Sequence, residues 1–342
     1  LLRACSGLNV LATSRVRLRI SGEREHPVPP LAVIASNGTS VEEDTARSEA
    51  VRLFGERALE VREDFTLTPE QVPIVAAICR RLDGLPLAIE LAAARIKVLP
   101  PPALLARLEQ RLPLLTGGAR DLPERQRTMA NTIAWSYDLL TPSDQRLFRR
   151  MGVFVGGFDL AAAEAVARED GCAGVFDGVA SLVEQSLLHR VAGPHGEPRY
   201  TMLETVREFA LRQLAANGEE AEARAAHAAH FLVLTERLIP DSPGEPIVPW
   251  IAIIEEEHPN LRAALEWLAG TNDTAAFLRL ATRLWQFWYS KGLLSEGRYW
   301  LEQAVARVDR ASSPLLLHAK AYHHAGQLAH YQGDDERAIL LL

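Results

Sequence analysis

VFDGVASLVEQSLLHRVAGPHGEPRYTMLETVREFALRQLAANG occupies residues 175–218 and decides the fold of the middle of the chain. VFDGVASLVEQSLL places its apolar residues at helical spacing. LLHRV and PRYTML are β-prone runs separated by the turn-rich AGPHGE, which is the pattern of a β-hairpin. LETVREFALRQLAANG returns to helical spacing and meets a glycine stop. Upstream, TMANTIAWSYDLL and SDQRLFRRMGVF read as helices joined at Thr141-Pro142, and Asp159 is placed to cap DLAAAEAVA. Helices, a hairpin and a closing helix in this order predict a winged helix-turn-helix over residues 124–217.

Working outward toward residue 1, four helices are predicted within residues 46–115. SEAVRLFGERALEV has Ser48 as its expected N-cap, and TPEQVPIVAAICRRLDG has a start signal in Thr68-Pro69-Glu70. LPLAIELAAARIKVL and PPALLARLEQRL complete the set. Between the second and third helices lies RRLDGLPLAIELAAAR, residues 80–95. Gly84 is expected to end one helix in a left-handed conformation, and Pro86 to sit in the first turn of the next, where its missing N–H costs nothing. Further upstream, LNVLAT at residues 8–13 is a short apolar run of β-formers ending in Thr13-Ser14-Arg15. It predicts a buried strand of a parallel sheet. HPVPPL, residues 26–31, predicts a short strand or an extended exit, and residues 33–45 a loop.

From residue 219 to 342 the pattern is helical and rich in Ala and Leu. LRLATRLWQFWYSKGLLSEGRYWLEQAVARV and AKAYHHAGQLAHYQGDDERAILLL place small and large residues in matching slots. Trp288, Gly292, Gly297 and Leu301 mark the first segment, and Gly333, Ala338 and Leu342 the second. The offset from Gly292 to Gly333 is 41 residues, against about 34 for a tetratricopeptide repeat; the stretch around VDRASSP is expected to hold the extra length. A TPR-like helical-repeat region follows from this spacing.

Composition narrows the function. The formal net charge is −7, which argues against a surface devoted to nucleic acid. Residues 124–217 hold 10 Arg against 12 acidic residues, and the expected recognition helix carries Asp177 and Glu184 without a basic residue. There is no apolar run long enough to span a membrane. Cys5, Cys79 and Cys172 fit no metal spacing and suit a reducing cytoplasm, with Cys79 on an apolar helical face and expected in the core. His227 and His230 share a helical face, but no further ligand has the spacing of a zinc enzyme. The chain begins without Met and ends inside a helical pattern, so it is expected to be an internal piece of a longer protein.

A strand ending in TSR, a helical unit with GLPLA, a winged helix and helical repeats occur here in order. That order resembles the signal-transduction ATPases that include the NB-ARC switches, and within them the bacterial regulators linked to transcription. The resemblance implies a mainly α chain. Residues 1–34 would be the C-terminal edge of a P-loop α/β domain, 46–115 a helical lid, 124–217 the winged helix and 219–342 the TPR-like repeats. It also implies an ATP/ADP site. Thr13, Ser14 and Arg15 would sense the terminal phosphate, and Gly84, Leu85 and Pro86 would close on the nucleotide from the helical side. The family's Met-His-Asp motif, whose His touches ADP, matches Met202-Leu203-Glu204, where Leu203 cannot donate a hydrogen bond.

A P-loop needs Lys followed by Ser or Thr, and none of Lys97, Lys291 and Lys320 is so placed. The phosphate cradle and the Mg2+ carboxylate would therefore lie outside this chain, which would not be catalytic alone. The expected function is part of a cytoplasmic, nucleotide-switched regulator of transcription or signalling. Its repeats would take a protein partner or small inducer, its ATP form could self-associate, and DNA would be met through another domain. The alternatives are an interaction scaffold with a degenerate ATPase and a winged-helix DNA-binding regulator.

Overall fold

The computed structural model describes residues 10–14, 17–33, 48–108, 111–116, 123–124, 127–167, 174–193, 196–239, 248–307 and 315–342. They form two compact units. One comprises the described residues up to Phe148 with Phe176–His189 and Met202–Arg212; the other comprises Arg149–Val175, Arg190–Thr201 and Gln213–Leu342. The fold is mainly helical, as the sequence predicts.

The first unit opens with α1 (Glu49–Val61), α2 (Val72–Arg81) and α3 (Pro86–Ala93), followed by a 3-10 turn over Ala94–Lys97. Ala50, Val51, Phe54 and Ala58 recur every three or four residues on α1 and are fully buried against α2 and α3. Cys79 on α2 is fully buried beside the α1 backbone, and burial pushes its thiol pKa up to about 12, so it packs as a small apolar residue. The PPALLARLEQRL stretch divides into α4 (Pro101–Arg107) and α5 (Arg111–Leu114).

Three local expectations are corrected. Residues 10–14 form no strand, and Val10 and Leu11 are 65% and 97% exposed. A parallel strand must be bonded and covered by neighbours, and the one sheet among the described residues is the hairpin of the winged helix. Residues 26–31 form no strand either, which leaves the exit segment that is the other reading of HPVPPL. Ser48 precedes α1 but does not cap it; its hydroxyl donates to the Ala32 carbonyl at 2.7 Å. Thr68-Pro69-Glu70 forms a turn closed by the Gln71 N–H on the Thr68 carbonyl, so α2 starts later, with Pro73 in its first turn.

The winged-helix sequence continues with α6 (Met129–Asp138), α7 (Pro142–Met151), α8 (Leu160–Ala167) and α9 (Val175–Glu184). Strands β1 (His189–Ala192) and β2 (Pro198–Thr201) and helix α10 (Glu204–Ala216) follow. In the first unit, Tyr137, Phe148 and Phe209 form an aromatic trio with centroids 5.5–6.4 Å apart, joining α6, α7 and α10. Gly178 lets α9 approach α7: a Cβ there would lie 2.5 Å from a Leu147 methyl. Thr128 caps α6 and Asp159 caps α8 through side-chain bonds to the Asn131 and Ala162 N–H groups. Gly218, with φ +70°, stops α10 as predicted.

The second unit holds the hairpin and α11 (Glu220–Leu238), α12 (Val248–Glu256), α13 (His258–Ala269), α14 (Thr274–Ser290), α15 (Leu294–Ala306), α16 (Leu315–Tyr331) and α17 (Asp335–Leu341). Helices α14–α15 and α16–α17 are two helical hairpins turning at Gly292 and Gly333, with φ +68° and +78°. The same backbone bonds close both turns: Leu293 N–H to Trp288 O and Asp334 N–H to Ala329 O. The stretch expected to absorb the extra repeat length lies largely outside the described residues.

Small residues work at the predicted slots. A Cβ on Gly297 would lie 2.8 Å from both Trp288 and Leu328, whereas a Cβ on Gly292 would meet nothing. Gly297→Ala is therefore expected to overpack the hairpin at a net cost of about 1–2 kcal/mol after its gain in helix propensity. Gly292→Ala is expected to cost about 1 kcal/mol through backbone strain alone. Urea unfolding of both variants checks the pair: a Gly297→Ala variant as stable as the parent would refute the close-approach role.

Candidate functional site

Two arrangements invite a functional reading: the joint at residues 83–86 with the start of α10, and the outward surface of the winged helix.

At the joint, the left-handed position after α2 is taken by Asp83, with φ +56°, and Gly84 follows at +65°. The Gly84 N–H bonds the Cys79 carbonyl and the Asp83 N–H the Arg80 carbonyl, so Leu82 is the C-cap, Asp83 the first residue beyond it and Gly84 the second. Gly84 is left-handed as the sequence reading expects, and Asp83 before it shares that conformation. Gly84 is required for another reason as well. Leu31 donates its N–H to the Gly84 carbonyl, and a Cβ on Gly84 would lie 2.3 Å from the Leu31 carbonyl oxygen.

Asp83 is turned toward the start of α10. Its Oδ2 accepts from the Thr205 N–H at 3.3 Å, and Thr205 is fully buried. Glu208, one turn on, accepts from the N–H groups of Arg111 and Leu112 at 2.7 and 3.2 Å, so α5 presents its N-terminus to a carboxylate. Arg111 donates to the Arg81 carbonyl and lies 3.5 Å from Glu204. Burial is the main cause that raises the Asp83 pKa from 3.8 to about 6, against the lowering effect of the Thr205 N–H.

The structure thus brings the GLPLA joint and the Met202-Leu203-Glu204 segment into one neighbourhood of the first unit. Gly84 is buried, Leu85 and Leu203 are half-buried and Pro86 is exposed. Thr13 and Ser14 are exposed, and Arg15 lies outside the described residues. Gly84, Leu85, Pro86 and Leu203 offer an apolar surface but no charged donor, and the nearby Arg111 is engaged with Arg81 and Glu204. The described residues at this joint do not by themselves fit a nucleotide triphosphate.

Among the described residues of the winged helix, Arg127, Arg190 and Arg212 are exposed and Arg146 is half-exposed, while others are spent on internal partners. On α9, Phe176, Asp177 and Ala180 face outward. Glu184 pairs with Arg19 at 2.6 Å. In the second unit three arginines of the winged-helix sequence are turned inward. Arg149 pairs with Glu219 at 2.6 Å. The fully buried Arg150 donates to the Val166 and Ala167 carbonyls at the end of α8 and pairs with Glu222. Arg199 on β2 is buried against Glu256, at 3.0 Å, and Glu257. Counting charges along the sequence misses this, because it cannot tell an arginine spent inside from one facing solvent. Arg190 stands exposed on the wing.

Among the described residues no group of three His, Cys, Asp or Glu could hold a metal ion. His227 is buried between Phe154 and Phe231, and burial pushes its pKa down to about 4. None of the described helices is long and apolar enough to cross a membrane.

Residues 140–215 match the family model of a winged helix-turn-helix domain. The chain is 39% identical over 326 residues, 94% of its length, to a Mycobacterium tuberculosis (strain H37Rv) protein named "Putative HTH-type transcriptional regulator Rv0890c" and to a Mycobacterium bovis protein named "Putative HTH-type transcriptional regulator Mb0914c". It spans about a third of the length of these relatives, 35%. It is also 38% identical over 225 residues, 64% of this chain and 53% of the relative, to "Uncharacterized protein Rv0894" of M. tuberculosis. No solved structure matches. The chain contains a winged helix-turn-helix and is homologous to proteins named as HTH-type transcriptional regulators.

The joint makes a pH prediction. Asp83 has a folded pKa near 6, above its ordinary 3.8, so the folded state holds the proton more tightly. Its contribution to stability is fully present below about pH 4 and is lost as pH rises through 6, by about 3 kcal/mol. Asp83→Asn, which stays neutral, is expected to be more stable than the parent at pH 7.5, with the difference closing by pH 4.5. Urea unfolding at both pH values measures it; a difference independent of pH would show that Asp83 is not a strained carboxylate.

Proposed function

We propose that this chain is the regulatory core of an HTH-type transcriptional regulator, in which a helical-repeat arm receives a signal and the winged helix passes it on. The observation that carries this reading is the winged-helix match over residues 140–215 together with relatives, 39% identical across 94% of the chain, that are named as such regulators. The architecture supports it: within the second unit, strand β2 of the wing is tied by buried ion pairs to the start of the repeat arm at Glu256 and Glu257.

Two routes to DNA follow from this reading. Affinity for DNA comes largely from neutralising phosphates. Helix α9 offers Asp177 and Glu184 instead, and Arg149, Arg150 and Arg199 are spent on internal partners. On these grounds the winged helix serves as a docking and relay module, and DNA contact belongs to another part of the protein. The second reading, in which this winged helix contacts DNA itself, is favoured by the domain match and by the relatives' names.

The resemblance to nucleotide-switched ATPases adds a finer proposal. ADP and ATP would set the balance between a closed and an open form by their differential affinity for the two. A protein partner or small inducer on the repeats would bias the same balance, and the open form could self-associate. The phosphate-binding residues for this would come from outside the chain, and support for it rests on motif order alone.

Fluorescence anisotropy of this chain with duplex DNA at 50 and 200 mM salt separates the two routes. The expected result is no salt-sensitive binding. A protein making 6–10 phosphate contacts would instead lose about 10³–10⁵ in affinity over that range, and such a fall would establish direct DNA contact. Calorimetry with ATP and ADP is expected to show no micromolar binding to this chain; tight binding would mean that the chain carries a nucleotide site of its own.

A further inference from the structure

In the second unit, helices α11, α14 and α16 border a cavity of about 380 Å³. One side of it is aromatic. Trp285 of α14 stacks on His324 of α16, with ring centroids 4.5 Å apart and planes 12° from parallel. One turn along α14, Tyr289 lies against Tyr331 of α16, with centroids 4.6 Å apart. Trp285 and Tyr289 are 6.4 Å from one another, so the four rings make one continuous strip across two helices. Tyr289 and Tyr331 are 47% and 48% exposed, and Trp285 and His324 are half-buried. Burial pushes the His324 pKa down to about 4, so that ring is neutral at pH 7.

The polar groups beside the strip divide into occupied acceptors and open donors. The Glu236 carboxylate takes two donors from Arg279, at 2.8 and 2.7 Å. The Gln327 amide oxygen accepts from His324 Nδ1 at 3.3 Å. The Trp285 indole N–H, the Tyr289 and Tyr331 hydroxyls and the Gln327 NH2 group have no hydrogen-bond partner among the described residues. Arg283 and Lys320 also line the cavity, but they are engaged with other groups and take no part. Such a surface suits a ligand with apolar rings, many carbonyl acceptors and few N–H groups.

A proline-rich segment has this chemistry. Proline carries no N–H, and a polyproline II helix has no internal hydrogen bonds, so its carbonyls are left to outside donors. Aromatic-lined grooves are where such segments dock. The spacing agrees as well. His324 and Tyr331 are seven residues apart on α16, ~10.5 Å along the helix, and same-face prolines of a polyproline II helix are ~9.3 Å apart. We infer that this strip binds a proline-rich segment of a partner protein. One proline lies on the Trp285–His324 pair, the next on the same face lies on the Tyr289–Tyr331 pair, and the carbonyls between them accept from the open donors. The inference deepens the regulatory reading by naming what the arm takes; it rests on that reading only for the consequence of binding.

The probe is a fluorescein-labelled proline decamer titrated with this chain and followed by fluorescence anisotropy. A labelled Gly-Ser decamer is the flexible control. The proline decamer is expected to bind with a Kd below about 1 mM, and the Gly-Ser decamer about tenfold more weakly or not at all. Tyr289→Ala and Tyr331→Ala, changes at exposed side chains on helices, are each expected to weaken the proline decamer about fivefold. Urea unfolding checks that both variants keep the parent's fold. No binding of the proline decamer, equal affinities for the two decamers, or an unchanged affinity in the Tyr289→Ala/Tyr331→Ala double variant would each overturn the inference. None of these measurements involves DNA, so failure here leaves the reading as a transcriptional regulator standing, and failure of that reading leaves the strip's ligand to be read by the same titration.

Discussion

The second unit depends on a buried polar hub. Arg199, on a strand of the wing, pairs with Glu256 and Glu257, and Glu257 accepts from the Asn260 amide at 2.8 Å. Asn260, fully buried, then holds the loop after α7: it accepts from the Val155 N–H at 2.7 Å and donates to the Gly157 carbonyl at 2.8 Å. Removing one partner of such a network would strand a buried charge, typically at about 3–5 kcal/mol. The network holds its geometry through the Nε and Nη1 atoms of Arg199, while the buried Nη2 has no hydrogen-bond partner. Gly156 and Gly157, at φ +83° and +117°, give the loop the path it needs to reach Asn260.

This constraint bears on function. An arginine committed to Glu257 inside the protein cannot serve a phosphate outside it. Arg149 and Arg150 are committed in the same manner, Arg150 donating to the buried Val166 and Ala167 carbonyls at the end of α8. Arg149, Arg150 and Arg199 thus serve as internal fasteners, while Arg190 stays exposed on the wing. In the first unit the carboxylates of Asp83 and Glu208 hold α10 to the α2–α3 joint and to α5 through backbone N–H groups. In both units the ends of helices are joined by charge-to-backbone contacts, which are directional and so fix geometry; at Asp83 that geometry is kept against the cost of burying the charge.

Repetition in the arm has a simple physical origin. Each hairpin turns on a glycine in a left-handed conformation, and each buries small residues where two helices approach closely: Gly297 against Trp288 and Leu328, and Gly326 against Leu342. Larger side chains at those places would push the helices apart and open the stack.

Local pattern was enough to read the helices, the hairpin, the Asp159 cap, the glycine stop at 218 and the paired turns at Gly292 and Gly333, because each depends on neighbours within a few residues. The winged helix and the repeats followed from their order. Whether an apolar run becomes a strand does not depend on neighbours alone: LNVLAT has the composition of one, yet residues 10–14 are exposed and irregular, since a strand exists only where others bond to it. The sequence likewise offered Ser48 as a cap and Gly84 as a helix end. Tertiary contacts drew the Ser48 hydroxyl to Ala32, and at the helix end they set Asp83 left-handed beside the left-handed Gly84 and brought Leu31 close against Gly84. Nor could it separate Arg199, buried on Glu257, from Arg190, exposed on the wing, although they stand nine residues apart. Charge is written in the chain, but its availability is a matter of burial and partners, and those are brought together only by folding.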